Sequence, residues 1–395
     1  MNSPFEELNE PSLYRDEKTL RKLQLNHNRN KAQDHTALME QAAGSFDYAA
    51  CKHQWWNPVE RSLLYGTVVW DQASESQRLL LNHLYWVAYY SQIISAEIAT
   101  IFYNQTSAAG LYGLQDFRLV CDTLDLESAQ ERAHIHAFIT VGESVESEVF
   151  NERLFTYPMR TPFTETMVFP DSNRIGAFWK QLQLRTYGLL SSGNAFIACQ
   201  YFAVRGVRTL SGKLTQHALS RYYTELPDVD GAPLPAAISH FHFMDESFHF
   251  NSSTILAHDV LKILKTPTVF EKKVANMALE GCQRDHARFS VAVNGIFWHD
   301  PALYPVIYRL LRSPAFGLDR AGALELMRPC FTQESEGLQK AYETHATSLE
   351  HYRTFVEKLP YANATNREMR IMARASAIPH YLATNRAAMA RFSPT

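Results

Sequence analysis

Apolar residues recur along this chain at spacings of three and four in long blocks, and the period-two alternation of strands is scarce. Ser74-Glu75-Ser76-Gln77 has the form of a capping box, and the apolar pattern behind it predicts a helix to about Asn104, before Gly110. A second helix is predicted from Asp122 or Asp125 to about Thr140, with Gly142 as its stop. A third follows Pro170-Asp171-Ser172 and takes in residues 178–204. Behind the breaker-rich stretch 226–235, a fourth covers residues 236–265, and a fifth begins after Thr268 and reaches about Val293. Shorter helices are predicted in 301–312 and 319–327, and two more in 332–392, broken near Leu359-Pro360. The expected fold class is all-α, a bundle of long helices with decorations.

Composition agrees with a packed core. The 395 residues are 46% hydrophobic, 20% charged and 12% aromatic, which excludes disordered and collagen-like chains. A formal net charge of −3 gives no reason to expect a nucleic-acid partner or an anionic membrane. The five cysteines are scattered without a C-x-x-C pair, against a disulfide framework and against a cysteine zinc site. The most apolar stretch, 84–102, carries Glu97 in its middle and reads as a buried helix and not as a membrane span. The first residues are acidic and lack the apolar run of a signal peptide, so the expected address is the cytoplasm.

Two E-x-x-H motifs change the picture: Glu131-Arg132-Ala133-His134 and Glu246-Ser247-Phe248-His249. Residues at i and i+3 share a helix face, so each Glu and His can reach one point. With 16 His in the chain, about one such motif is expected by chance. His242 raises the signal, because on a helix His242, Glu246 and His249 fall within about 60° of arc. Apolar neighbours surround both motifs, and buried charges are rare unless paired or metal-bound. Glu97 lies 34 residues before Glu131 on an apolar helix face, a spacing that fits two antiparallel helices. In dimetal bundles each of two helices supplies an E-x-x-H and the other two supply single Glu residues. Such oxygen and imidazole donors suit iron or manganese. Glu97, Glu131 and His134 are therefore expected to hold one ion and His242, Glu246 and His249 the other, with Glu131 and Glu246 as bridges.

Glu97, Glu131-x-x-His134 and His242-x-x-x-Glu246-x-x-His249, together with residues 64–70, resemble the p-aminobenzoate N-oxygenase family of ferritin-like di-iron oxygenases. The resemblance implies a ferritin-like bundle over 55–300, with an N-terminal extension at 1–54 and a C-terminal helical region at 301–395 packed on it. It implies two Fe ions (Fe/Mn or Mn as variants), O2 as co-substrate, a small-molecule substrate and an external electron donor, and it leaves a homodimer open. The implied reaction is N-oxygenation of an amine. C–H hydroxylation, desaturation or C–C cleavage at the same site, and a metal-storage bundle without organic substrate, stand as alternatives.

One ligand of that pattern is missing. No Glu occurs between Glu165 and Glu225, so the third long helix offers none. The position 34 before Glu246 is Gly212, and an allowance for the Pro-rich loop moves the expected vacancy to Asn194–Gln200, where Asn194 or Gln200 is a weak ligand or water takes the place. Arg205 and Arg208 are candidates for contact with a substrate carboxylate.

Overall fold

The computed structural model describes residues 11–114, 116–155, 174–286, 301–374 and 377–394. These form an all-α bundle, and no strand occurs among them. The principal helices are α1 (Glu17–Ala32), α2 (Thr36–Gly44), α3 (Glu75–Tyr112), α4 (Arg118–Phe150), α5 (Arg174–Ser192), α6 (Ala195–Thr224), α7 (Leu234–Ile255), α8 (Val269–Asp285), α9 (Tyr304–Arg312), α10 (Arg320–Thr332), α11 (Glu336–Glu357) and α12 (Ile378–Arg391). Among the described residues, no helix is long and apolar enough to cross a membrane.

The helix starts follow local chemistry. Ser74 and Gln77 form the predicted capping box on α3, and Thr268 and Glu271 form another on α8. The helix ends depart further from expectation. Gly142 lies inside α4, where an added Cβ would meet Val87 at an ordinary 3.8 Å, and the helix runs on until Asn151 turns into the left-handed region. The expected third helix is two. The chain breaks at Gly193, and Asn194 caps α6 by accepting the Ile197 N–H at 3.0 Å. After α7 the chain makes a π turn, Leu256–Val260, and a last short turn, Leu261–Ile263. The continuation expected to Val293 lies outside the described residues. The N-terminal segment is itself helical: α1 and α2 pack on α4 and α7.

At the centre α3 packs on α4 and α6 on α7, each pair joined by a short connection and folded back antiparallel. Two apolar cores lie along these four helices. Tyr90, Ile94, Phe138, Val141, Leu219 and Ile238 belong to one. Ala99, Tyr103, Leu124, Phe202, Val207 and Leu256 belong to the other. Between them every central helix carries polar residues: Glu97 on α3, 127–134 on α4, 208–216 on α6 and 242–249 on α7. The expected ligands thus lie in one buried layer between two cores.

Helix α3 continues past Asn104 and through Gly110, which admits a close neighbour. A Cβ built there would stand 2.1 Å from the backbone carbonyl oxygen of Ser191, at the end of α5. Gly110→Ala should therefore lower stability by about 1–3 kcal/mol through overpacking, measured by chemical denaturation. An unchanged midpoint would show that α5 can move away freely.

Candidate dimetal centre

All six expected ligands converge. Glu97, His134, His242 and Glu246 form one group of donor atoms, all within 4.8 Å of one another, and Glu131, Glu246 and His249 form a second. His242 Nε2 stands 3.1 Å from Glu97 Oε1 and 3.8 Å from Glu246 Oε1. His134 Nδ1 lies 3.5 Å from Glu131 Oε2 and 3.7 Å from Glu97 Oε1. His249 Nδ1 faces Glu246 Oε1 at 2.9 Å and Glu131 Oε1 at 3.3 Å. Glu246 belongs to both groups. His242 falls with Glu97 and His134, a grouping that differs from the expected one with His249, because about two turns of α7 separate the two histidines and α3 lies beside the first.

The atoms left over point to a cation. Glu97 Oε2, Glu131 Oε2 and His134 Nδ1 are buried and find no hydrogen-bond partner among the described residues. Buried polar atoms are rarely left so. Separations of about 3–4 Å are those that ligands at about 2.1 Å from one ion show among themselves. A buried Glu/His cluster of this kind can bind metal.

Two of the three imidazoles are aimed from behind. His134 Nε2 donates to Asp245 Oδ2 at 3.2 Å, and Asp245 Oδ1 accepts from the His35 backbone N–H at 3.0 Å. His249 Nε2 donates to Gln130 Oε1 at 2.9 Å, and Gln130 pairs with Asn30 through two amide hydrogen bonds of 2.8 and 3.0 Å. Such outer bonds select the tautomer and turn Nδ1 inward. The pattern is reciprocal: Asp245 on α7 orients the histidine of α4, and Gln130 on α4 orients that of α7. His242 is held instead by the edges of Tyr90, Phe138 and His134. Sequence reasoning missed Asp245, Gln130, His35 and Asn30. The available signal was position, since Gln130 and Asp245 each directly precede the Glu of an E-x-x-H.

The remaining candidates sit elsewhere. Asn194 is the α6 cap and donates to Glu271 Oε1 at 2.7 Å. Gln200 is buried and accepts from the Tyr361 hydroxyl. Neither lines the cavity at the cluster; on α6 that cavity is lined by Tyr201, Arg205, Arg208, Thr209, Gly212 and Gln216. The loop allowance moved the expected vacancy too far, because α6 runs unbroken to Thr224. Arg205 is held among the helices. It is 5% exposed, and it bonds Glu127 Oε2 at 2.8 Å, Ser253 Oγ at 2.7 Å, Asn104 Oδ1 at 3.0 Å and the His249 carbonyl at 2.9 Å. Arg208 lines both this cavity, of about 100 Å³, and a larger apolar one of about 340 Å³ between α5, α6 and α8. Tyr103 and Tyr201, stacked at 4.9 Å, also belong to both.

Electrostatics follow from these contacts. Burial alone would lower the His134 imidazole, but the Asp245 carboxylate bonded to it and the Glu131 and Glu97 carboxylates beside it carry it well above the usual value. Burial likewise opposes the charge on His249, and Glu246 and Glu131 overcome it. Burial would raise Glu131, yet His249 and His134 hold its carboxyl well below the usual range. Glu97 is raised, chiefly by burial. Without metal, the cluster therefore stores protons on two histidines. Their stabilising contribution is complete below the unfolded histidine pKa of about 6.5 and is lost as pH climbs through the higher folded values. A divalent ion competes for the same Nδ1 atoms. Metal affinity should then rise with pH over that window, with protons released on loading; calorimetry in two buffers of different ionisation heat measures this. No proton release would remove the histidines from the ligand set. Arg205→Met should lower stability by about 3–5 kcal/mol by leaving Glu127 buried without its cation, with KM unchanged in the fraction that folds. A raised KM at unchanged stability would make Arg205 a substrate contact.

The family model described as acyl halogenase CylC-like matches residues 18–393, taking in α1, α2 and the C-terminal helices as well as the bundle centre. No curated protein and no solved structure matches the chain. The resemblance to p-aminobenzoate N-oxygenases is thereby corrected. The residues that carried it are candidate metal ligands, which bear on metal binding and say nothing of a substrate. The match over nearly the whole chain shows that this protein belongs to the CylC-like acyl halogenase family.

Proposed function

We propose that the chain is an O2-dependent dimetal halogenase that replaces an aliphatic C–H hydrogen of an acyl substrate with halide. Glu97, His134, His242 and Glu246 hold one ion, and Glu131, His249 and the shared Glu246 hold the other. Iron, or iron with manganese, suits three carboxylates and three imidazoles. The observation that carries the reading is the union of this donor set with the two cavities that share Tyr103, Tyr201 and Arg208.

The overall reaction balances as R–H + X⁻ + O2 + 2e⁻ + 3H⁺ → R–X + 2H2O. The C–H and O–O bonds break and the C–X bond forms. Two electrons come from the substrate and two from an external donor of the reduced flavin or iron–sulphur class. The bound ions supply the activation of O2 that the side chains lack.

The chain's own residues do the rest. Asp245 and Gln130 keep the imidazoles turned inward. Leu184, Leu190, Val204, Val274 and Met277 line an apolar pocket for the acyl chain, where each buried methylene contributes about 0.8 kcal/mol and water is displaced. Tyr103 and Tyr201 narrow the passage to the cluster, so that one carbon of the chain is presented there. Arg208, on the shared wall, meets a polar group of the substrate.

Turnover of an acyl substrate with ¹⁸O2 and bromide should yield a brominated chain free of ¹⁸O, with the label in water. A hydroxylated chain carrying ¹⁸O, formed equally with and without bromide, would replace halogenation by oxygenation.

A further inference from the structure

Gly212 on α6 is the one wall of the metal layer where a carboxylate is absent. The position has three marks. It lies on the α6 face that bears Arg205, Thr209 and Gln216, at spacings of three and four, and these residues line the same cavity as Glu97, Glu131, His242 and Glu246. It falls between Val207, in one apolar core, and Leu219, in the other, which is the level of the ligands on the other three central helices. It precedes Glu246 by 34 residues, as Glu97 precedes Glu131.

Packing does not require glycine there. A Cβ built at Gly212 meets nothing within 4 Å, whereas at Gly110 it meets backbone at 2.1 Å and at Gly206 the Phe355 ring at 2.5 Å. No left-handed backbone requires it either, since the positive-φ glycines among the described residues are Gly66 and Gly317. A mid-helix glycine costs helix stability relative to alanine. What the glycine provides is space beside the cluster.

Charge says what fills that space. With two divalent cations bound, Glu97, Glu131 and Glu246 would set three negative charges against four positive ones, which would leave one positive charge on the cavity side. Asp245 lies behind His134, bonded to His35. Arg208 lines the cavity, and Lys213 borders a small adjoining void with Glu246 and Gln216. Thr209 is turned back onto the Arg205 and Gly206 carbonyls and offers the space no anion.

We propose that the gap at Gly212 is the halide seat: a chloride or bromide ion occupies the place of the missing fourth carboxylate, beside the metals and within reach of the acyl chain. The proposal rests on the reading of the cluster as a dimetal centre. Arg208 and Lys213 add positive potential, and the Gln216 amide supplies N–H groups that an anion can accept.

The test uses the cobalt(II)-loaded full chain titrated with sodium chloride and sodium bromide, read by visible absorption, with the metal content measured on the same samples. Wild type should bind two cobalt ions and show a saturable halide-dependent change. Gly212→Glu should keep two cobalt ions, bind bromide at least tenfold more weakly and lose the halogenated product. If it binds bromide within twofold of wild type, or if two-cobalt wild type shows no halide response, the seat is not at Gly212. Fewer than two cobalt ions in wild type would overturn the dimetal reading itself, and the seat with it. Should the glutamate variant fail to fold, Gly212→Ala serves, because open space receives its Cβ. Its melting temperature should be no lower than wild type, and its affinity ratio should shift at least twofold against bromide relative to chloride. An unchanged ratio would overturn the proposal.

Discussion

The buried polar layer between two apolar cores is the constraint on which the structure depends. Three carboxylates, three imidazoles and the Arg205–Glu127 pair cross the bundle where apolar side chains would be the stable choice. Such a layer persists only if each charge is compensated, by a proton, a counter-charge or a metal ion. In the metal-free chain the raised His134 and His249 provide part of that compensation. The antiparallel pairing of long helices follows from the same need, because it brings four polar stretches to one level.

The layer is built by exchange between α4 and α7. Each gives an E-x-x-H to the centre and, from the residue before its Glu, an acceptor to the other helix's histidine. The two halves are not equal. Asp245 is a carboxylate anchored by His35, and Gln130 is a neutral amide anchored by Asn30. The charged acceptor gives His134 the more strongly donating Nδ1, so the two groups of donors differ electronically. It also gives α1 and the start of α2 a part in the centre: they carry the second anchors of both histidines.

Around this layer the two cavities divide the work. The small one holds charge and is bounded by ligands; the larger is apolar and bounded by α5, α6 and α8. Tyr103 and Tyr201 line both.

The sequence by itself determined the all-α class and which residues are candidate donors. Capping residues at Ser74 and Thr268 act locally, and Glu131–His134 and His242–His249 share faces by helix geometry alone, so both were legible without a fold. Glycine was the misleading signal: Gly142 and Gly110 lie inside helices, and Gly193 divides one, because a glycine's role depends on what stands opposite it. Tertiary structure alone decided the rest. It grouped His242 with Glu97 and His134, since α3 packs on that side. It made Asn194 a cap and bound Gln200 to Tyr361. It buried Arg205 against Glu127, and it paired Asp245 and Gln130 with histidines over a hundred residues away. Contacts between distant segments leave no periodicity in either segment, and the space beside Gly212 is bounded by four helices that no single one of them describes.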